Sequence, residues 1–174
     1  VIAIAIFPML KVGGMQLFRS EFSSKDDKIL PRTVSIAIGI GLVYLVLTIT
    51  CFLSLVSAGM NVFDGIAHAL TIIATGGFST KNMSIGHFNS LYIETVTIFF
   101  MLISSLPFLL LFQFSKGKVF DLLKNSQVHF FILIVFILTI ITSFWLQKYY
   151  EVSFLQALRI SSFSIVSILS LIHI

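Results

Sequence analysis

Residues 34–58 carry no charged side chain, and that one feature removes most folds from consideration. A helix that crosses the hydrocarbon core of a bilayer needs roughly 20 predominantly apolar residues, and this run meets the requirement. Residues 95–115 meet it too, with Glu94 at the near edge. Residues 130–147 form a third, shorter candidate between His129 and Lys148-Tyr149-Tyr150, where Trp145 and the tyrosine pair suit an interfacial anchor. Residues 1–10 read as the tail of a fourth span, which Pro8 kinks or ends.

Composition supports the same class. Only 10% of the residues are charged and 57% are hydrophobic, whereas a soluble domain carries about a quarter charged residues. A soluble globular fold is thereby excluded. The net charge of +4 raises the question of nucleic acid, but the cations sit in loops between apolar runs, where orientation in a bilayer explains them better. Cys51 is the single cysteine and lies within an apolar run. It reads as a small buried hydrophobe, and neither a disulfide framework nor a cysteine-based metal site can form within the chain. Val1 opens in mid-hydrophobic run, so the sequence is expected to be an internal piece of something longer.

Two apolar segments are too short to span. Residues 62–73 follow Asn61, a good N-cap, and residues 154–169 follow Ser153, with Gln156 three positions on in a capping-box pattern. Each comes after a long span and a short polar or Gly-containing break, so the order span, break, capped short helix occurs twice. Loop charges fix the sidedness. Segment 11–32 holds Lys11, Arg19, Lys25, Lys28 and Arg32, and segment 116–124 holds Lys116, Lys118 and Lys124. Placing both inside the cell leaves only Lys81, Lys148 and Arg159 outside, in agreement with the positive-inside rule. Residues 59–94 must then enter and leave on the outer side, which describes a re-entrant loop.

Ala74-Thr-Gly-Gly-Phe-Ser-Thr80 follows the first short helix directly. Non-helical backbone at membrane depth is tolerated only when buried in protein or lining a watery cavity. A monovalent cation entering a pore exchanges its hydration shell for oxygen ligands, and backbone carbonyls can serve. Gly76 and Gly77 are expected to give the backbone freedom to turn successive carbonyls to one side, and Thr75 can add a hydroxyl. The C-terminal end of the 62–73 helix favours a cation over an anion there. The plainer alternative is an ordinary turn with Gly76 as a helix C-cap.

Val12-Gly-Gly-Met-Gln-Leu-Phe-Arg-Ser-Glu21 with Leu30-Pro-Arg32, the stretch Phe63–Thr80, and Ser84-Ile-Gly-His-Phe-Asn89 together resemble the TrkH-type subunits of bacterial potassium uptake systems, in the Trk/Ktr superfamily. The resemblance runs over nearly the whole chain. It implies an all-α polytopic membrane protein of the bacterial inner membrane, potassium-channel-like. Repeated units of transmembrane helix, re-entrant pore helix and transmembrane helix would surround one potassium pathway. On that mapping residues 1–19 end a first repeat, 33–115 form a second with pore helix 62–73 and filter 74–78, and 127–174 begin a truncated third. The filter would take K+ on Ala74, Thr75, Gly76, Gly77 and Phe78. After Ser164-Ile-Val-Ser-Ile168 the family pattern calls for a Thr-rich, Gly-containing filter, and Ser170-Leu-Ile-His-Ile174 departs from it. The resemblance further implies a homodimer and a cytoplasmic nucleotide-binding regulatory subunit of TrkA type. It implies no cofactor beyond the transported ion. No nucleic-acid partner is expected; the lipid bilayer is.

Other residues carry weaker signals. Asp64 reads as capping the short helix, His68 as bonding to a neighbouring loop, and Lys81 as a solvated lysine. Glu94 suits a helix N-terminus, and Gly39 and Gly41 suit close helix contact. Ser104, Ser105 and Pro107 mark either a flexible break or a kink, and His129 reads as an interfacial residue. Enzymatic motifs of the His-Glu-x-x-His, Gly-x-Ser-x-Gly and P-loop kinds are absent, and Ser79 with His87 lacks a third group to orient the histidine. The chain is therefore expected not to be an enzyme. The remaining alternative is another cation-coupled secondary transporter with discontinuous helices.

Overall fold

The computed structural model describes residues 33–117, 124–150 and 152–172. The expected end of a first repeat (1–19), the basic 11–32 loop, Lys118 and the final two residues lie outside them. The described residues form six α-helices and one short 3-10 turn: α1 (Thr33–Ser57), α2 (Val62–Ile73), the turn Ser84–Phe88, α3 (Leu91–Ser104), α4 (Phe108–Ser115), α5 (Ser126–Tyr150) and α6 (Phe154–Ile172). Two of these helices, α1 and α5, are long and apolar enough to cross a membrane, or three if α3 and α4 count as one broken span. Many of their large apolar side chains, such as Leu45, Leu53, Phe130, Phe136 and Phe144, are exposed. That is the surface a helix presents when lipid rather than water surrounds it.

The apolar stretch 95–115, where Ser104, Ser105 and Pro107 mark a break or a kink, forms two helices separated at Ser105–Pro107. Pro107 cannot donate a backbone hydrogen bond to the preceding turn, and it caps α4 instead, its carbonyl accepting from Leu110 N–H. Ser105 Oγ bonds back to the Met101 carbonyl at 2.6 Å, the back-bonding that bends helices. The α5 and α6 helices both outrun their expected bounds of 130–147 and 154–169.

The chain divides into two compact units. In the smaller, Ile40 and Leu109 are buried together with Phe108 and Phe112 against them. Gly39 makes that packing possible, because a Cβ there would stand 2.0 Å from the Phe112 ring. In the larger unit, α6 packs on α3 and α5, and α2 packs on α3. Asn61 Oδ1 accepts from Phe63 N–H at 3.2 Å and starts α2. Gly65, one turn in, lies against the end of α1: a Cβ there would meet Val56 at 2.9 Å and Phe52 at 3.5 Å.

Gly65→Val should therefore push α2 from the end of α1 and lower the stability of the detergent-solubilised protein by about 1–3 kcal/mol. Gly86→Ala, where a Cβ meets nothing within 4 Å, should leave the unfolding temperature where it was. A thermal-unfolding series read by size-exclusion retention checks both.

Candidate functional site

The loop after α2 begins as a helix stop of a defined kind. Gly76 N–H donates to the Thr71 carbonyl at 2.8 Å, and Thr75 N–H donates to the Ile72 carbonyl at 3.1 Å. These are the two bonds of a Schellman motif. The residue that takes the left-handed backbone is Thr75, with φ of 51°, and Gly77 follows with φ of 69°. This differs from the alternative reading in which Gly76 is the helix C-cap. Gly76 is not the left-handed residue; a threonine holds that place, although a branched Cβ disfavours it. Gly76 contributes space instead, since a Cβ would stand 3.3 Å from the Phe78 ring. Left-handed backbone at a β-branched residue costs on the order of 1–3 kcal/mol and persists where the surroundings impose it.

The surroundings do impose it. Asp64, His68 and Thr71 lie at i, i+4 and i+7, one face of α2, and together they hold the returning segment 78–81. Thr71 Oγ1 donates to the Phe78 carbonyl at 3.0 Å. His68 Nε2 lies 2.9 Å from Ser79 Oγ. Asp64 accepts from the Thr80 hydroxyl at 2.6 Å and pairs with Lys81 Nζ at 3.2 Å. His68 Nδ1 faces the Asp64 carbonyl at 2.7 Å, so it carries the proton and Nε2 accepts from Ser79 in the neutral ring. Ser79 Oγ in turn accepts from Lys81 N–H at 3.1 Å. Asp64 and His68 are buried, and the Phe88 ring stands edge-on to the imidazole.

Several expectations are resolved here. His68 does bond to the neighbouring loop. Asp64 does not cap α2, which Asn61 does, and Lys81 is paired rather than free. The Thr80 hydroxyl holds the Asp64 carboxyl below its usual range, against the opposing effect of burial, with Lys81 adding to it. Because that pKa is depressed, the ion pair is intact at neutral pH and is lost only as pH falls through the lowered value. Ser79 is matched with His68 and not with His87. Its histidine is oriented by a main-chain carbonyl, while the Asp64 carboxylate is committed elsewhere, so the pair lacks the arrangement of a catalytic triad.

Among the five residues singled out in the loop, two carbonyls are already engaged. Ala74 accepts from the Thr75 hydroxyl at 2.7 Å, and Phe78 accepts from Thr71. Among the described residues, the carbonyls of Thr75, Gly76 and Gly77 receive no hydrogen bond. Behind the loop lies a cavity of about 60 Å³, whose polar lining includes His68, Thr71, Thr75 and Ser84 with Ser167 and Ser170 of α6.

Two further links fix the loop to neighbouring helices. Ser104 Oγ donates to the Ile72 carbonyl at 3.2 Å, the same carbonyl that Thr75 N–H uses. Glu94 is not the cap of α3, since Ser90 takes that place. It instead pairs with Arg159 of α6 at 2.9 and 3.3 Å. Sequence reasoning missed both, because the partners stand 32 and 65 residues apart and no local spacing joins them.

A family profile described as "TrkH: Cation transport protein" matches residues 1–146. The chain is 41% identical over 173 residues to the Trk system potassium uptake protein TrkH of Halomonas elongata, covering 97% of this chain and 36% of that protein. It is 39% identical over 172 residues to TrkH of Escherichia coli K12, covering 96% and 35%. The crystal structure of the potassium transporter TrkH from Vibrio parahaemolyticus superposes with a TM-score of 0.75 at 35% identity, over 95% of this chain and 33% of that one. The chain thus spans about a third of the length of these relatives.

Thr75→Gly keeps both Schellman bonds and removes the left-handed strain, so it should raise stability in detergent by about 1 kcal/mol. Gly77→Ala introduces a Cβ at positive φ and should lower it by about 1–2 kcal/mol. Calorimetry of the two variants against the parent decides; a destabilised Thr75→Gly would mean the hydroxyl contact to Ala74 outweighs the strain.

Proposed function

The chain belongs to the TrkH cation transport family, and from that membership and the loop geometry we propose that it forms part of the potassium pathway of a Trk-type uptake system in the bacterial inner membrane. On this reading residues 1–19 end one pore repeat, 33–115 make a second, and 127–174 begin a third. Helix α2 is the pore helix, dipping into the bilayer and returning through residues 74–81. Segment 74–78 is the filter. The observation that carries this is the set of three consecutive carbonyls, at Thr75, Gly76 and Gly77, that receive no hydrogen bond among the described residues at the C-terminal end of a short helix. Unpartnered carbonyls at membrane depth are costly, and a dehydrated cation is the partner that satisfies them. The partial negative charge of the helix end points the same way.

The refined ligand set is therefore the carbonyls of Thr75, Gly76 and Gly77. The hydroxyls of Thr75 and Thr71 hold the Ala74 and Phe78 carbonyls in place on either side. Potassium is cargo here, with no resident cofactor, and the role is conduction rather than catalysis. The family resemblance supports assembly as a homodimer and gating by a cytoplasmic nucleotide-binding subunit of TrkA type. Both belong to the whole transporter, and this chain spans about a third of the length of the relatives it matches.

Gly76→Val, in the transporter carrying this segment, would press a branched side chain on Phe78 and shift the carbonyls. It should weaken apparent rubidium affinity and narrow the preference for potassium over sodium in a strain lacking other potassium uptake. Rubidium uptake and selectivity equal to the parent would overturn the filter assignment.

A further inference from the structure

The filter reading concerns the carbonyls themselves, and their position needs a separate explanation. A Schellman motif fixes the chain only as far as Gly76 N–H. Beyond it, Gly77 is left-handed and Phe78 is largely exposed, so nothing in the cap determines where the chain goes next. The direction is set from the other side of the loop. Four consecutive residues, 78 to 81, are each tied by a hydrogen bond or ion pair, three of them to the single polar face of α2 made by Asp64, His68 and Thr71 and one, Ser79, to both that face and Lys81. The loop 75–77 is thus a short span held at both ends by the same helix. Moving either end moves the carbonyls between them.

We propose that the Asp64–His68–Thr71 face acts as a clamp that sets the ion preference of the filter, with Thr71 as its positioning residue nearest the ion path. This rests on the filter reading above. Thr71 is the decisive rung for three reasons. Its own main-chain carbonyl accepts Gly76 N–H, its hydroxyl holds the Phe78 carbonyl, and it therefore touches both ends of the three-carbonyl span. The hydroxyl is also shared with the His68 carbonyl at 3.1 Å, which keeps its rotamer fixed along the helix. Finally, by bonding to Phe78 it turns that carbonyl toward the helix, which ends the row of free oxygens at Gly77. Asp64 and His68 extend the same hold outward through Thr80, Lys81 and Ser79. A row of oxygens discriminates between alkali ions of different size only if its spacing resists adjustment, and the clamp supplies that resistance without touching the ion.

The test uses the transporter carrying this segment, in a strain lacking other potassium uptake, with rubidium kinetics and potassium-over-sodium preference as readouts. Thr71→Val keeps shape and removes the donor. It should raise KM for rubidium about fivefold, the factor that one typical net hydrogen bond contributes, narrow the preference over sodium by a similar factor, and leave the maximal rate near that of the parent. Thr71→Ser keeps the donor and should restore both. If Thr71→Val does not reach the membrane, Ser79→Ala at the exposed rung is read by the same criteria. Parent-like selectivity in Thr71→Val alongside a shift in Gly76→Val would overturn the clamp and leave the filter standing. Equal impairment in Thr71→Val and Thr71→Ser would overturn it too, as a packing effect. Parent-like behaviour in Thr71→Val and Gly76→Val alike would bring down the filter reading and the clamp with it.

Discussion

The larger unit is organised around the backbone carbonyls that the end of α2 leaves without a partner inside the helix. The end of α2 leaves four such groups. Those of Leu70, Thr71 and Ile72 accept from Ala74, Gly76 and Thr75 N–H as the chain turns back on the helix, and the Ile72 carbonyl receives a second bond from Ser104. The chain pays for this with a threonine in left-handed backbone, and the polar face of α2 takes up the residues that follow. Beyond the helix, the carbonyls of Thr75, Gly76 and Gly77 receive no hydrogen bond among the described residues. In an ordinary helix end such groups are met by water; on the filter reading proposed above, an ion meets them.

The sequence disclosed the architecture well because the signals for it are local. A charge-free run declares α1, and Asn61 declares the start of α2, which spans the expected 62–73. The loop was legible in its glycines, yet their roles were not. Sequence logic gives the left-handed place to a glycine, and here Thr75 holds it, with Gly76 serving for clearance against Phe78. Pattern reasoning ranks residues by the backbone they prefer, and a site that stores strain departs from that ranking.

Polar side chains in this chain were harder to read than apolar ones. Asp64, Lys81 and Glu94 each had a plain local role available, as a cap, a solvated charge and a cap. Each is used instead in a pairing that depends on tertiary structure. The i, i+4, i+7 spacing of Asp64, His68 and Thr71 was the one visible trace. It marks a polar stripe on a helix otherwise bounded by apolar residues, and a stripe of that kind on so short a segment needs something polar to face. The break at Ser105–Pro107 shows the opposite case. Proline announced the interruption, while Ser104's reach to the Ile72 carbonyl of α2 had no announcement at all.

The bond between Glu94 and Arg159 carries a consequence for how such a protein is made. A lone carboxylate or guanidinium is costly to take out of water, whereas the two together form a bidentate, neutral pair. Sixty-five residues separate them, so during synthesis α3 leaves the ribosome well before its counter-ion exists. The Glu94 carboxylate can gain this partner only once α6 has been made, so the order of translation sets when the link between α3 and α6 can close.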